Sequence, residues 1–301
     1  MVQSYMTKGA NTLLHALGRI SGELHNRGIQ NNQARRRLKM VSNMQRFLRN
    51  HPFLFAFFAL IASRVAGLGT VAIIQQLQPG MNIKDDLGWL LMFLYASVIV
   101  SLVYWTNTAN EVGLKKPSSA KEWLLVTPML ALPLMIFIET GIQSWGLAQN
   151  LVLAIAAIGV AINEEVLFRG ILLRGFMKWG SWVAILVPSA LFAFAHSTNA
   201  FIGGDATFAL YQTIWTFASG VTLSAMRLRN NSLYPVIVFH IILDGVEYFS
   251  TGEYGVHAEA ISSTWLQLFA AVNIILAAYS LLLFYKRNKR NAIETAIPIG
   301  T

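Results

Sequence analysis

The sequence predicts an all-α, polytopic membrane bundle of about eight transmembrane helices with both termini cytoplasmic. Three observations carry that expectation. Hydrophobic residues make up 55% of the chain and charged residues only 12%, against about a quarter charged in an ordinary soluble domain. Several apolar runs approach or exceed the roughly 20 residues that span a bilayer core. The basic residues, finally, are distributed to one side of those runs.

The first 50 residues hold nine Lys and Arg against one acid, Glu23. No apolar core of signal-peptide type interrupts them. The run Arg35, Arg36, Arg37 and Lys39, with Leu38, Met40 and Val41 alongside, suits an interfacial helix on anionic lipid, where each basic residue contributes about 1 kcal/mol. It equally suits a solvated topology determinant, since charge alone satisfies the sorting rule. The spans that follow are 53–77, 87–106, 124–139, 151–168, 181–196, 207–226, 235–249 and 265–285, and a basic tail, 286–301, closes the chain.

With the amino terminus inside, the arm, the loop with Lys115, Lys116 and Lys121, the turn with Arg169, Arg174 and Lys178, the loop with Arg227 and Arg229, and the tail place 21 of 23 basic residues in the cytoplasm. Lys84 falls in an outer loop and Arg64 within the first span, whereas 140–150, 197–206 and 250–264 contain no Lys or Arg. Such asymmetry is the positive-inside rule. It also turns the net charge of +9 away from a nucleic-acid partner and toward a lipid one. The absence of cysteine excludes a disulfide framework and any thiolate zinc site. Trp89, Trp105, Trp123, Trp145, Trp179 and Trp265 fall near predicted helix ends, as an interfacial aromatic belt requires. Gly203 and Gly204 mark a flexible outer loop, and Phe192, Phe194 and the aromatic first span are lipid-facing or packing residues.

Two adjacent acids, Glu164 and Glu165, interrupt the fourth span. A carboxylate there costs at least about 2.5 kcal/mol and points to a task. Glu165 shares a helix face with Arg169 at i,i+4, while Glu164 is turned about 100° away. One acid is thereby paired with a cation, and its neighbour is left to face another helix as a candidate base. Two further spans bring His196 and His240, with Asp244 one turn beyond the latter. Measured from the Lys178–Gly180 turn, Glu164 and His196 lie about 21 and 24 Å deep, and His240 about 16 Å from Arg229. Each feature also has a purely structural explanation: a buried ion pair for Glu165 and Arg169, an interfacial position for His196, and an interhelical hydrogen bond for His240 and Asp244.

Together the residues resemble a known family. Glu164, Glu165 and Arg169 match E-E-x-x-x-R, Phe192 and His196 match F-x-x-x-H, and His240 and Asp244 match H-x-x-x-(N/D). These are the ordered motifs of the CPBP intramembrane proteases, which include the CaaX prenyl endopeptidases and the bacteriocin-processing or immunity proteins of Abi type. The resemblance covers 120–250 and implies that 51–285 is a transmembrane protease domain in a membrane, most simply a bacterial cytoplasmic one, acting on a membrane-associated peptide or protein. It implies Glu164 as general base, His196 as a water-holding residue, His240 and Asp244 at the oxyanion, and Glu165 and Arg169 as supports. Asp244 stands where the prenyl endopeptidases usually have Asn, and an ionised carboxylate cannot donate to an oxyanion, so it suits orienting His240 or accepting a proton.

Two chemistries stay open for the water: glutamate-dependent activation without a cofactor, or one divalent metal such as zinc held by Glu164, His196 and His240. The short helical two-histidine signature of soluble zinc proteases is absent, the histidines being 44 residues apart. Two other functions compete with proteolysis, a non-catalytic scaffold or bacteriocin-immunity protein and a proton-coupled transporter, the latter without the internal repeat that many carriers show. Substrate identity and oligomeric state are not encoded in these motifs.

Overall fold

A segment in hydrocarbon must satisfy its backbone hydrogen bonds internally, and among the described residues every regular element is a helix. The computed structural model describes residues 38–197, 206–254 and 262–296, with backbone alone at 83–85 and 290–296. Arg35 to Arg37, the side chain of Lys84, the Gly203 and Gly204 loop and the last five residues lie outside that description. The chain divides into two units, Met1–Asn50 and His51–Thr301. In the first, residues 38–50 form helix α1.

The second unit begins with α2 (Pro52–Leu77) and α3 (Ile83–Trp105), then a short α4 (Ala109–Val112). Pro52 stands in the first turn of α2, where its missing N–H costs nothing. The expected span 124–139 is broken into α5 (Lys121–Leu124), a 3-10 turn (Thr127–Leu130) and α6 (Ala131–Thr140). Pro128 opens the 3-10 turn and removes one donor from the α ladder. The expected span 151–168 is the middle of a longer rod, α7 (Leu147–Glu164), that continues through a π-helical stretch (Glu165–Leu172), α8 (Leu173–Phe176) and a 3-10 turn (Met177–Trp179). Then follow α9 (Ser181–Ser197), α10 (Ala206–Asn230), α11 (Tyr234–Thr251) and α12 (Ser263–Ala296). The last runs unbroken past residue 285.

Helices thus occupy all eight predicted places. Five stretches are long and apolar enough to cross a membrane: Pro52–Leu77, Asp86–Trp105, Lys121–Thr140, Leu147–Trp179 and Ser263–Lys289. Ser181–Ser197 is apolar but shorter. α10 and α11 fall outside that set because they carry polar groups inward, among them Gln212, Thr216, Thr222, Ser224, His240 and Asp244. Both are sheathed by other helices, α10 by α9 and α12, and α11 by α7 and α6.

Apolar seams join these rods. Ile185, Ala218, Val221, Ala225, Ala277 and Phe284 close the α9, α10 and α12 contact, and Leu153, Ala156, Ala157 and Tyr248 close that of α7 with α11. Small residues set the spacing, as in membrane bundles generally. A Cβ on Gly159 would stand 2.7 Å from the backbone nitrogen of Phe93 in α3, and one on Gly220 2.8 Å from Ser189 Cβ in α9. Backbone cannot swing aside as a flexible side chain can. Gly159→Leu should therefore lower the thermal unfolding midpoint in detergent, with an overpacking cost of about 1–3 kcal/mol. Gly69→Leu, at a position with nothing within 4 Å, should leave the midpoint unchanged.

Candidate active site

The site is built where α7 changes register. Glu164 ends the α-helical ladder and Glu165 opens the π-helical one; such widened turns are frequent at functional sites. Glu165 and Arg169 are both fully buried, at 0% exposure, and the i,i+4 spacing read from the sequence does bring them together. Arg169 Nη1 donates to Glu165 Oε1 at 2.9 Å. The same oxygen lies 2.8 Å from His240 Nδ1 on α11, so one carboxylate oxygen holds a cation and a ring from two helices.

That contact orients His240. With Nδ1 directed at Glu165, Nε2 faces Asp244 Oδ1 at 3.4 Å and Glu164 Oε2 at 3.8 Å. The two adjacent acids occupy different environments, for the Glu164 side chain is 21% exposed and that of Glu165 is not exposed at all. Glu164 thus looks into the space beside His240 rather than into the protein wall.

His196 is mounted from α9. Its Nδ1 lies 2.9 Å from the carbonyl oxygen of Phe192. A carbonyl only accepts, so Nδ1 carries the hydrogen and the neutral ring presents Nε2 as an acceptor. His196 is within electrostatic range of Glu164. The ring of Phe192 meets that of His196 edge-on at 4.5 Å and lies 4.0 Å beneath the Arg169 guanidinium. Phe192 is therefore buried packing that ties α9 to the ion pair, whereas Phe194 faces outward. Arg169 is correspondingly not part of the cytoplasmic turn to which its charge was assigned.

Other residues of the neighbourhood lay outside the sequence reading. Asn163 is buried there, and its Oδ1 has no hydrogen-bond partner in the protein, as is also true of Oδ2 of the expected site residue Asp244, of Glu165 Oε2 and of Arg169 Nη2. Glu247 interacts electrostatically with Asp244 and His240. Its signal was the i+3 spacing from Asp244, and that of Asn163 its place beside two acids in an apolar run. At the basic end of the bundle, Arg174 pairs with Glu111 at 2.5 Å, Arg229 and Arg287 both approach Glu122, and buried Arg227 donates to the carbonyls of Val112 and Glu111.

The fit of a metal follows from the donors. Among the described residues no group of three or more His, Asp or Glu side chains is spaced to hold an ion. With Nδ1 of His240 on Glu165 and Nδ1 of His196 on a backbone carbonyl, each ring keeps Nε2 as the nitrogen that could reach an ion, so spacing and not occupancy is what sets the fit. Glu164, His196 and His240 do not form a ligand cluster in this arrangement.

Breaking the ion pair tests the network. Arg169→Met should lower stability by about 3–5 kcal/mol, because Glu165 is left as a buried charge without its cation. Adding Glu165→Gln should recover part of the loss. Thermal unfolding of the purified protein in detergent reads both.

Comparison with known sequences bears on the same region. Residues 146–246 match the family model described as type II CAAX prenyl endopeptidase Rce1-like, a region that contains Glu164, Glu165, Arg169, His196, His240 and Asp244. An uncharacterized 24.3 kDa protein of Escherichia coli is 33% identical over 87 residues, which cover 27% of this chain and 35% of that protein. The match thus spans about a third of the relative's length. The motif-bearing region of the chain, about a third of its length, thus matches an Rce1-like domain, and this match supports the resemblance to the CPBP, or CAAX, intramembrane proteases.

Proposed function

We propose that the protein is an intramembrane endopeptidase that hydrolyses a peptide bond of a membrane-associated peptide or protein, using water activated by Glu164. The observation that carries this reading is the partial exposure of Glu164 at 3.8 Å from His240 beside a sealed Glu165. Glu164 takes a proton from water as the oxygen attacks the scissile carbonyl carbon. His196 Nε2 accepts the water's second hydrogen bond and so orients the attack.

The carbonyl π electrons move to oxygen, and His240, held as the imidazolium with Nδ1–H on Glu165, donates Nε2–H to the resulting oxyanion, a donor aimed at charge that develops only in the transition state. Glu165 fixes the other ring nitrogen, and Asp244 steadies Nε2 from the next turn. Glu164 then returns the proton to the leaving nitrogen. The C–N bond breaks to give an amine and a carboxylic acid, with no other reactant consumed. Activity in this scheme needs no metal, because Glu164 is itself the base that activates the water. Both termini lie in the cytoplasm, and substrate enters from the inner leaflet, where the basic loops border the motif helices.

Glu164→Gln keeps the shape and removes the base. In proteoliposomes it should reduce cleavage by about 10²–10⁴-fold, the range of general acid–base contributions, with an unchanged unfolding midpoint. His196→Ala should act in the same direction. Identical membrane-peptide profiles from wild-type and Glu164→Gln cells would overturn the protease reading, and full cellular function in both variants would instead favour a scaffold.

Metal dependence is decided separately. Cleavage should persist after dialysis against a strong chelator, and metal analysis of the active protein should return less than one equivalent of zinc. Loss of cleavage on chelation, restored by zinc, would replace the cofactor-free scheme.

A further inference from the structure

The helix preceding the membrane unit has a surface that the protease reading does not use. Residues 38–50 are helical, and at about 100° per residue Met40, Val41, Met44, Phe47 and Leu48 fall within one arc of about 120°. Lys39, Ser42, Asn43, Gln45, Arg46, Arg49 and Asn50 all lie outside that arc. Met40, Val41 and Met44 are 66%, 39% and 48% exposed, whereas Leu48, at 4%, is already covered and falls outside the open part of the stripe. The stripe is flanked by three basic residues and no acid, in a 50-residue arm with nine basic residues and only Glu23 opposing them.

We propose that α1 is an interfacial anchor that lies on the anionic leaflet, with Met40, Val41 and Met44 entering the acyl boundary and Lys39, Arg46 and Arg49 meeting lipid phosphates and carboxylates. Charge complementarity selects the occupant. A protein partner for so basic a face would have to be acidic as well as apolar, whereas an anionic bilayer offers negative charge and hydrocarbon in successive layers. Chain connectivity supports the same choice. A single residue, His51, separates α1 from Pro52, the first residue of a helix long and apolar enough to cross a membrane, so the anchor is joined directly to a candidate span. An interfacial helix needs a strong apolar face together with a charged one, and this helix has both.

The chain contains no cysteine, so one introduced thiol gives a unique label on the full-length protein. Met44→Cys probes the apolar arc and Ser42→Cys the opposite side, each carrying an environment-sensitive fluorophore in nanodiscs. In phosphatidylglycerol discs the label at 44 should be quenched by a nitroxide on the lipid and shielded from aqueous iodide. The label at 42 should show the reverse. Pure phosphatidylcholine, or Lys39, Arg46 and Arg49 changed together to Gln, should weaken the shielding at 44, with the equilibrium falling about fivefold per charge removed. Equal iodide access at 42 and 44 in anionic discs would overturn the proposal in favour of a solvated arm. Shielding at 44 without quenching by the lipid nitroxide would overturn it in favour of packing on protein.

Discussion

The arrangement depends on one buried carboxylate oxygen. Glu165 Oε1 accepts from Arg169 on its own helix and binds His240 on α11, while the other side of the guanidinium rests on Phe192 from α9. Three helices are thereby indexed to a single charged group. Charges this deep are costly to bury and are kept where they pair. An apolar pair would in general hold a bundle at least as firmly, so raw stability does not explain the choice. Direction does. A carboxylate fixes which ring nitrogen of His240 faces outward, and a cation over an aromatic face fixes where α9 stands, neither of which a leucine can do.

The bundle was legible in the chain because its lipid-facing rods are long, apolar and separated by charge. What was less legible has physical causes. The break at Pro128 sits inside a run whose hydropathy does not dip, so composition saw one span where the backbone makes α5, a 3-10 turn and α6. The rod that begins at α7 runs on to Trp179 because Arg169, which reads as the start of a cytoplasmic turn, is neutralised in place by Glu165. In the site, the i,i+4 pairs were readable from spacing alone. The contact between Glu165 and His240 was not, since 75 residues separate them, and the π-helical stretch leaves no mark in the hydrophobic pattern. Phe192 looked inert because its contribution lies in its carbonyl and ring face rather than in an ionisable group.

The basic residues on which the expected topology rests have a second use. Arg174, Arg229 and Arg287 are paired with Glu111 or Glu122, and Arg227 is buried against backbone carbonyls. The Glu122 carboxylate ties α5 to Arg229 of α10 and Arg287 of α12, so the short helix before the break at Pro128 is held largely by polar contacts. Residues whose charge suits orienting a chain during insertion thus also fasten the loops at the basic end of the bundle.

The adjacent acids show most plainly how backbone geometry becomes chemistry. On any helix, neighbours point about 100° apart, which alone would give one acid a partner and the other a different outlook. Here the register also changes from α to π between them, and Arg169 in the widened segment closes on Glu165 rather than on Glu164. The consequence is a division that side-chain identity cannot supply, because both residues are glutamate. One is sealed, shared by a guanidinium and an imidazole, and so committed to holding position. The other keeps part of its side chain exposed and stands beside the imidazole that its neighbour has already aimed. A general base must reach its proton with the rest of its surroundings fixed, and exchanging the environments of these two residues, with no change of sequence, would remove that condition.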